Sequence, residues 1–253
     1  MSSDNSNVFT KATLDQYLRD LSKEYKRLGG RYVPVEIILI GGAAIIESYG
    51  FRDMTTDVDA ILPDVSIMDE AIRHVADLHG LSKDWINADF MKTVSYSGKL
   101  LQYSIPYKTF NQVMNVRIIT GEYLIAMKLR AGRKYKNDLS DIIGILAEHE
   151  NTENPITYEM IDRAVVNLYG GWEGFSEEAI QFTRSTMNKG NFQAMYQVIR
   201  ENEKQNETGL LNFQDKYPGV LNEKNVNSII DTKAVSQGRE SLLKQLEMLK
   251  KNE

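Results

Sequence analysis

The arrangement of apolar and polar positions is most informative between residues 35 and 62. Residues 37–40 form a short, continuous apolar run rich in β-branched side chains, which predicts a strand covered on both faces. Gly41 and Gly42 interrupt this run, and residues 43–49 can form a short helix. The glycines are therefore expected at a strand-to-helix turn, where free backbone N–H groups and the helix dipole favour an anion such as phosphate.

A second strand is predicted after this turn, and it opens with two acidic residues. Asp57 and Asp59 are two positions apart, so their side chains project from one face while Val58 and Ala60 point to the other. Two like charges at this spacing repel each other, and a hard divalent cation such as Mg²⁺ between them would relieve the repulsion. The alternative is a pair of edge-strand aspartates in water near a turn.

Periodicity predicts the other elements of the N-terminal part. Apolar residues recur twice at helical spacing before a glycine stop, and short alternating runs indicate strands. The predicted elements are a helix that starts at a capping box over 13–16 and ends at Gly29, a helix over 66–79, a hairpin of 91–96 and 100–105 that turns at Ser97 and Gly98, and a strand over 113–119. This order predicts an α/β fold of the α+β type, a small mixed sheet with flanking helices.

The pattern changes at a polar segment, residues 151–155, that ends in a proline. Beyond it, apolar residues recur only at helical spacing. We therefore predict a mixed domain over residues 8–150 and a helical domain over 155–253. The last stretch, 235–253, predicts an amphipathic helix that either docks on its own chain or mediates a homodimer.

The amino-acid composition mainly excludes certain kinds of site and certain classes of protein. Hydrophobic residues make up 42% and charged residues 26% of the 253 residues, as in ordinary globular proteins. The absence of cysteine excludes disulfides and thiolate metal sites. The sequence shows neither a signal peptide nor a membrane-spanning stretch, so a cytoplasmic location is expected. A net charge of −5 argues against a broadly basic nucleic-acid binder and leaves only a local basic patch.

The glycine pair, the helix after it and the segment 56–59 together resemble the signature of the nucleotidyltransferase superfamily, which has the DNA polymerase β-like fold. The closer likeness is to the minimal branch that includes the nucleotidyltransferase-type toxins of abortive-infection systems. It covers about residues 30–150. The family expectation is therefore a nucleotidyltransferase core, followed here by a helical region.

This resemblance implies a set of functional residues and partners. Gly41, Gly42 and Thr56 would hold a nucleoside triphosphate, and Asp57 and Asp59 would be catalytic residues that bind Mg²⁺ or Mn²⁺. The acceptor would be an RNA such as tRNA, a protein or a small molecule. The same likeness implies a toxin or phage-defence role, with a cognate antitoxin as partner.

The resemblance is incomplete at one position. Many nucleotidyltransferases have a third acidic residue between two hydrophobic residues of a later strand, and the nearest match here is Asn115. An amide oxygen can coordinate a cation, but it carries no charge and cannot act as a base. Asp89 is an acidic candidate for the same position, and the alternative is that Asn115 is an ordinary strand residue.

The basic patch at residues 121–136 has five basic residues and one acidic residue, a local charge of +4. On the predicted helices, Lys128 lies beside an apolar stripe and Asp138 shares a column with apolar residues, so we expect them to pair with each other or with the active site. The resemblance places Lys128 and Arg133 near the nucleotide phosphates, Lys128 as a catalytic residue, with Asp138 and Asp141 orienting them. The alternative is a helix-to-helix salt bridge around Asp138.

Trp172 lies in a glycine-rich turn between predicted helices, where it either stacks on a base or packs against the protein.

Two hypotheses for the function of the whole protein remain. The first is a metal-dependent nucleotidyltransferase that moves a nucleoside monophosphate to an acceptor. The second is a non-catalytic nucleotide-binding or interaction module on the same scaffold, in which the incomplete acidic set would still bind nucleotide.

Overall fold

A computed structural model describes residues 8–133, 136–222, 225–226 and 228–230. It confirms the predicted α+β class, with a five-stranded mixed sheet, a two-stranded sheet and many helices. The strands are β1 (Phe9–Thr10), β2 (Val35–Leu39), β3 (Met54–Thr55), β4 (Val58–Ile61), β5 (Ile86–Asn87), β6 (Ser104–Phe110) and β7 (Met114–Ile119). The helices are α1 (Lys11–Arg27), α2 (Gly41–Ser48), α3 (Ser66–His79), α4 (Gly121–Ala131), α5 (Asp138–Asn151), α6 (Tyr158–Tyr169), α7 (Glu177–Lys189) and α8 (Phe192–Lys216), with short 3-10 turns at Gly30–Tyr32 and Asp89–Lys92.

The chain forms two compact units. Among the described residues, the first unit comprises those up to Met127 together with Asp162–Gly171, and the second comprises those of Lys128–Ile161 and those from Trp172 onward. The strands that the structure describes all belong to the first unit, whereas the second consists of helices, in which α5 packs against α8. In the described part of the chain, none of the helices combines the length and the apolar composition that crossing a membrane requires.

This division differs from the predicted boundary at residues 151–155, because it falls inside α4 and α6. The end of α6 is bound to the first unit by side-chain hydrogen bonds. Ser97 Oγ donates to Leu168 O at 2.8 Å, and Tyr169 OH donates to Ser95 O at 2.7 Å. Such tertiary contacts leave no trace in the local pattern from which the boundary was predicted. The helix predicted over 235–253 lies outside the described residues.

The five-stranded sheet has the order β5-β4-β2-β7-β6. The central strand β2 is parallel to β7 and antiparallel to β4, and β4 in turn is parallel to β5. Ile37, Ile38 and Leu39 are all buried, which confirms a strand covered on both faces. In β4 the burial alternates, since Val58 and Ala60 are buried and Asp59 is half-buried. The candidate acidic strand therefore lies directly beside the strand that leads to the glycines.

The predicted hairpin over 91–105 is wrong. Residues 93–103 form turns, and the hairpin is made instead by β6 and β7, with Phe110 opposite Met114. Its turn is Asn111-Gln112, where φ is +47° and +62°. Positive φ at both central residues is the geometry of a type I′ turn, usually marked by Asn-Gly. Because Gln replaces the glycine here, the turn has no clear sequence signal.

The first helix begins earlier than predicted. Thr10 is its N-cap, and the capping box is formed by Thr10 and Thr13 rather than over residues 13–16. Thr10 N donates to Thr13 Oγ1 at 2.9 Å, so the cap is satisfied by a threonine instead of the usual glutamate or glutamine. The helix predicted over 66–79 is confirmed as α3, and it ends at Gly80 with a left-handed φ of +65°.

Candidate functional site

The glycine turn joins β2 to α2, as the apolar run followed by two glycines predicts. Ile40 is extended and forms the N-cap, and the helix begins at Gly41 itself, whose φ is +56°. A side chain at that φ is strained, which explains the glycine. Ile40 N donates to Asp59 O at 2.9 Å, so the acidic strand stays paired up to the turn.

The Asp59 carboxylate faces the glycine turn. A β-carbon at Gly41 would lie 3.4 Å from Asp59 Oδ2. Val58 and Ala60 on either side of Asp59 are buried in the opposite direction. The lack of a side chain at Gly41 thus leaves the backbone at the start of α2 directly accessible to the Asp59 side of the sheet.

Asp57 is tied to the same turn through a threonine. Thr55 Oγ1 lies 3.2 Å from both the backbone oxygen and Oδ1 of Asp57 and can donate to either. A β-carbon at Gly42 would overlap Thr55 Oγ1 and would come within 3.0 Å of Arg52 Nη2. Arg52 Nε in turn donates to Met54 O at 2.9 Å. Sequence reasoning missed Thr55 and Arg52, because nothing in the pattern shows that they close over Gly42.

The donor set at this turn fits a hard cation. Asp57 is exposed and Asp59 is half-buried, and carboxylate oxygens are the ligands that a hard cation prefers. Among the residues that the structure describes, no group of three or more His, Cys, Asp or Glu side chains could hold a metal ion. A cation here would therefore complete its coordination with water and phosphate oxygens, which is how Mg²⁺ is usually held, and Mn²⁺ takes similar ligands.

Asn115 is not placed at this turn. Asn115 pairs with Glu36 near the beginning of β2, whereas Leu39 at its end pairs with Ile118. Three residues along a strand separate the two positions by about 10 Å. Asn115 Oδ1 accepts a hydrogen bond from Thr109 Oγ1 at 2.9 Å, as an ordinary strand residue can. Of the two interpretations of Asn115, the structure therefore favours the ordinary strand residue, and the register that decides this cannot be read from a local triplet.

Asn87 is the polar residue beside Asp59 on the neighbouring strand. The two residues are paired across the parallel strands β4 and β5, and paired residues project from the same face. Asn87 Oδ1 accepts the Asp89 N–H at 2.9 Å, and an amide oxygen has a second lone pair. Asp89 itself pairs with Lys92 at 2.7 Å on the surface. Sequence reasoning missed Asn87 because β5, with two residues, is too short for a periodic signal.

Lys128 belongs to a buried ion cluster in the second unit. Its Nζ lies 3.0 Å from Asp138 Oδ1 and 2.7 Å from Asp141 Oδ2, and all three side chains are at most 8% exposed. Arg133 adds a bidentate contact, with Nε 3.0 Å from Asp138 Oδ2 and Nη2 3.1 Å from Oδ1. The expected pair of Lys128 and Asp138 is therefore present.

The electrostatics of this cluster favour its charged form. Burial raises the pKa of Asp138, but the nearby Lys128 and Arg133 outweigh burial, so that the pKa lies below its ordinary value. A buried ammonium held by two carboxylates is already neutralised. The role of Lys128 and Arg133 as phosphate ligands stays a prediction.

A carboxylate from α8 caps α5, the helix that carries the two aspartates. Glu203 Oε1 accepts the Leu139 N–H at 3.2 Å and the Ser140 N–H at 3.1 Å. Burial is the main reason that the pKa of Glu203 is raised to about 7, and the charge of Asp141 adds to it. Sequence reasoning missed this residue, because it lies about sixty positions from the helix that it caps.

Trp172 packs into an aromatic cluster of the second unit. Its ring lies 5.1 Å from that of Phe175 and 6.5 Å from that of Tyr158. The Arg130 guanidinium is 5.1 Å from the Phe175 ring, and its Nη1 donates to Glu173 O at 2.8 Å. Arg130 of the basic patch thus holds the glycine-rich turn, and base stacking by Trp172 stays untested.

The predicted site residues are divided between the two units. Gly41, Gly42, Thr56, Asp57 and Asp59 belong to the first unit, and Lys128, Arg133 and Asp138 belong to the second. Thr56 is exposed between Thr55 and Asp57.

No protein-family model matches the sequence, and the searches of curated proteins and of solved structures also gave no match.

Proposed function

We propose that the first unit binds a nucleoside triphosphate with Mg²⁺ or Mn²⁺ and transfers its nucleoside monophosphate to an acceptor. The observation that carries this proposal is the Asp59 carboxylate facing the glycine turn, with Oδ2 3.4 Å from the β-position of Gly41. An acidic strand that meets the N-terminus of a helix brings cation ligands and a phosphate-binding backbone to one place. Neither the acidic strand nor the helix N-terminus alone would indicate a nucleotide-binding site.

The backbone of the turn would hold the phosphates. The opening N–H groups of a helix have no partner within the helix, and the helix dipole favours an anion there. Gly41 and Gly42 carry no side chain that would keep a phosphate away from these groups. Thr55 and Arg52 close the other side of Gly42, so the turn is held in position before a ligand arrives.

Asp57 and Asp59 would hold the cation. A bound divalent cation would offset the charge that develops on the departing pyrophosphate. The two carboxylates would position the triphosphate relative to the acceptor, and positioning and electrostatics account for most of the catalysis in such transfers. RNA, protein and small molecules remain candidate acceptors, and a toxin or antitoxin context rests on the family resemblance alone.

The second candidate is a nucleotide-binding module without turnover. It is favoured by one observation: in the described chain the position beside Asp59 on the neighbouring strand holds the amide of Asn87, and no third carboxylate completes a metal site. An amide oxygen can serve as a ligand but cannot accept a proton from an attacking hydroxyl. Binding would be common to both candidates, and only turnover separates them.

The proposal is tested by titration calorimetry with each nucleoside triphosphate in the presence of Mg²⁺. Asp59→Asn should weaken binding at least tenfold, since even a residue that only orients a metal ligand contributes about ten- to a hundredfold to affinity. Glu36→Gln is the matched control, because Glu36 is a half-exposed carboxylate on the same sheet, at the other end of β2. Equal binding by wild type and Asp59→Asn would refute the site.

Turnover is measured next. The protein is incubated with α-labelled triphosphates, Mg²⁺ and total cell RNA or protein. Label transfer that disappears in Asp57→Asn and Asp59→Asn supports the transferase. Nucleotide binding without label transfer to any acceptor supports the binding module.

A further inference from the structure

A second cluster of ionisable side chains lies in the first unit, built from residues of three elements that the nucleotide proposal does not use. Helix α1 contributes Lys11 and Asp15, α2 contributes Glu47, and β6 contributes Tyr107 and Lys108. Glu47 is only 2% exposed. A carboxyl group buried to this extent needs a specific reason to be there.

Each of the two acids has one satisfied oxygen and one orphaned oxygen. Glu47 Oε2 accepts a hydrogen bond from Tyr107 OH, and Asp15 Oδ2 pairs with Lys108 Nζ. Glu47 Oε1 and Asp15 Oδ1 are also buried, and neither has a hydrogen-bond partner among the described residues. Buried polar atoms without a partner are rare and costly.

Three kinds of partner could satisfy both oxygens. A divalent cation is disfavoured because Lys11, whose Nζ donates to Glu47 O at 2.5 Å, and Lys108 already bring two positive charges to two carboxylates. The described residues also offer no third acidic, histidine or cysteine ligand. A bridging water would satisfy the oxygens but would leave both carboxylates ionised, with the charge of Asp15 acting on the buried Glu47. One proton would both remove a negative charge and supply the missing donor.

We propose that Glu47 and Asp15 share one proton in the folded protein at neutral pH, with the Glu47 carboxyl donating from Oε1 to Asp15 Oδ1. Burial is the largest influence and raises the pKa of Glu47; Tyr107 lowers it, the charge of Asp15 raises it, and Lys11 and Lys108 lower it, with a net upward shift. The pKa of Tyr107 is raised as well, mainly by burial, so its hydroxyl stays a donor.

The shared proton would join α1, α2 and β6 in a pH-dependent way. The folded pair binds a proton that the unfolded chain has already released at neutral pH. Its contribution to stability is therefore present at low pH and is lost as pH rises through the raised pKa of Glu47. This inference does not depend on the nucleotide proposal, and it is tested without any ligand.

Infrared spectroscopy gives the direct test. A protonated carboxyl has a carbonyl stretch above the amide I band, and this stretch shifts in D₂O. The measurement is made at neutral pH in a Glu203→Gln background, because the raised pKa of Glu203, about 7, would otherwise contribute a similar signal. Glu36→Gln, which removes a half-exposed carboxylate of the same unit, is the matched control and should leave the band unchanged.

Two substitutions should remove the band for different reasons. Glu47→Gln replaces the carboxyl with an amide that donates permanently to Asp15. Asp15→Asn supplies an amide donor to Glu47, which then stays ionised. Both variants keep a donor in place, so both should fold, and both should lose the pH dependence that the pair gives to the stability of this unit.

The proposal is overturned if the background protein shows no protonated-carboxyl band at neutral pH, because a bridging water or cation would leave both groups ionised. It is also overturned if the band persists in Asp15→Asn or Glu47→Gln. Should one variant fail to fold, the other variant and the spectrum of the unsubstituted pair still decide. Folding is checked by the emission of Trp85, the buried tryptophan of the first unit, after Trp172→Phe.

Discussion

The two units use the same residue types in opposite ways. At the glycine turn, Asp57 is exposed and Asp59 is half-buried, and Asp59 Oδ2 lies 3.4 Å from the β-position of Gly41. In the second unit, Asp138 and Lys128 are buried and satisfy each other. Exposed carboxylates beside an anion-binding backbone can change partners when a ligand arrives, whereas a buried ion pair is fixed by the cost of separating its charges. From this comparison we expect ligand binding at the first group and a contribution to stability from the second.

The largest expected effect is that of Lys128→Met. Removing the ammonium takes a buried cation partner away from both Asp138 and Asp141, so the second unit should lose about 3–5 kcal/mol of unfolding free energy. Urea unfolding followed by Trp172 emission in a Trp85→Phe background measures this unit separately, since these are the two tryptophans of the chain. Lys136→Met, at an exposed position of the same patch, is the control.

The opposite result for Lys128→Met would reverse the comparison. If stability were unchanged and nucleotide affinity fell by about ten- to a hundredfold, the loss of one charge-assisted hydrogen bond to phosphate would explain it. Lys128 would then be a phosphate ligand, as the family resemblance implies.

The next effect is a pH dependence of the second unit that comes from Glu203. Its pKa is raised from 4.5 to about 7, so the folded state binds more protons than the unfolded state between these values. Stability should therefore fall as pH rises from about 4.5 to 7, by up to about 3 kcal/mol, and level off above. Glu203→Gln should remove this dependence in the Trp172-monitored unfolding. An unchanged profile would mean that Glu203 is ionised throughout.

The smallest effect is expected from Gly42→Ala in the first unit. The new methyl group would overlap Thr55 Oγ1, and relieving the overlap should cost about 1–3 kcal/mol and displace the turn. Gly98→Ala is the control, because a β-carbon there meets nothing within 4 Å and its φ is not positive. Trp85-monitored unfolding and nucleotide titration are compared for both variants. Identical behaviour of the two would show that Thr55 does not constrain the turn.

The sequence predicted correctly those features that depend on neighbouring residues in the chain. The apolar run of β2, the glycine break and the face of Asp59 follow from side-chain periodicity, and the structure has them in those places, whereas Asp57 lies just before β4. The column that Asp138 shares with apolar neighbours predicted that it pairs either with Lys128 or with the active site, and the pair with Lys128 is present. In each case the residues involved lie on helices or strands that the apolar and polar pattern of the sequence predicts.

The remaining parts depend on contacts between distant segments. The register of β2 against β7 places Asn115 away from the glycine turn, and the two-residue strand β5 places Asn87 beside Asp59. The sequence also favoured Lys128 as a phosphate ligand, because the patch holds more cations than two aspartates can pair. Arg130 instead donates to Glu173 O, so a backbone carbonyl takes part of that excess.

The strand partners of β2 also determine the order in which the sheet of the first unit can form during protein synthesis. Val35 of β2 pairs with Met114 of β7, so one edge of the central strand stays open until the ribosome has made the whole intervening chain. The antiparallel partner β4 follows soon after β2 and can pair early. In that interval the run of isoleucines in β2 presents an unpaired apolar edge, which is a surface prone to association with other chains. Slowing translation between β4 and β7 should therefore lower the soluble yield of this protein.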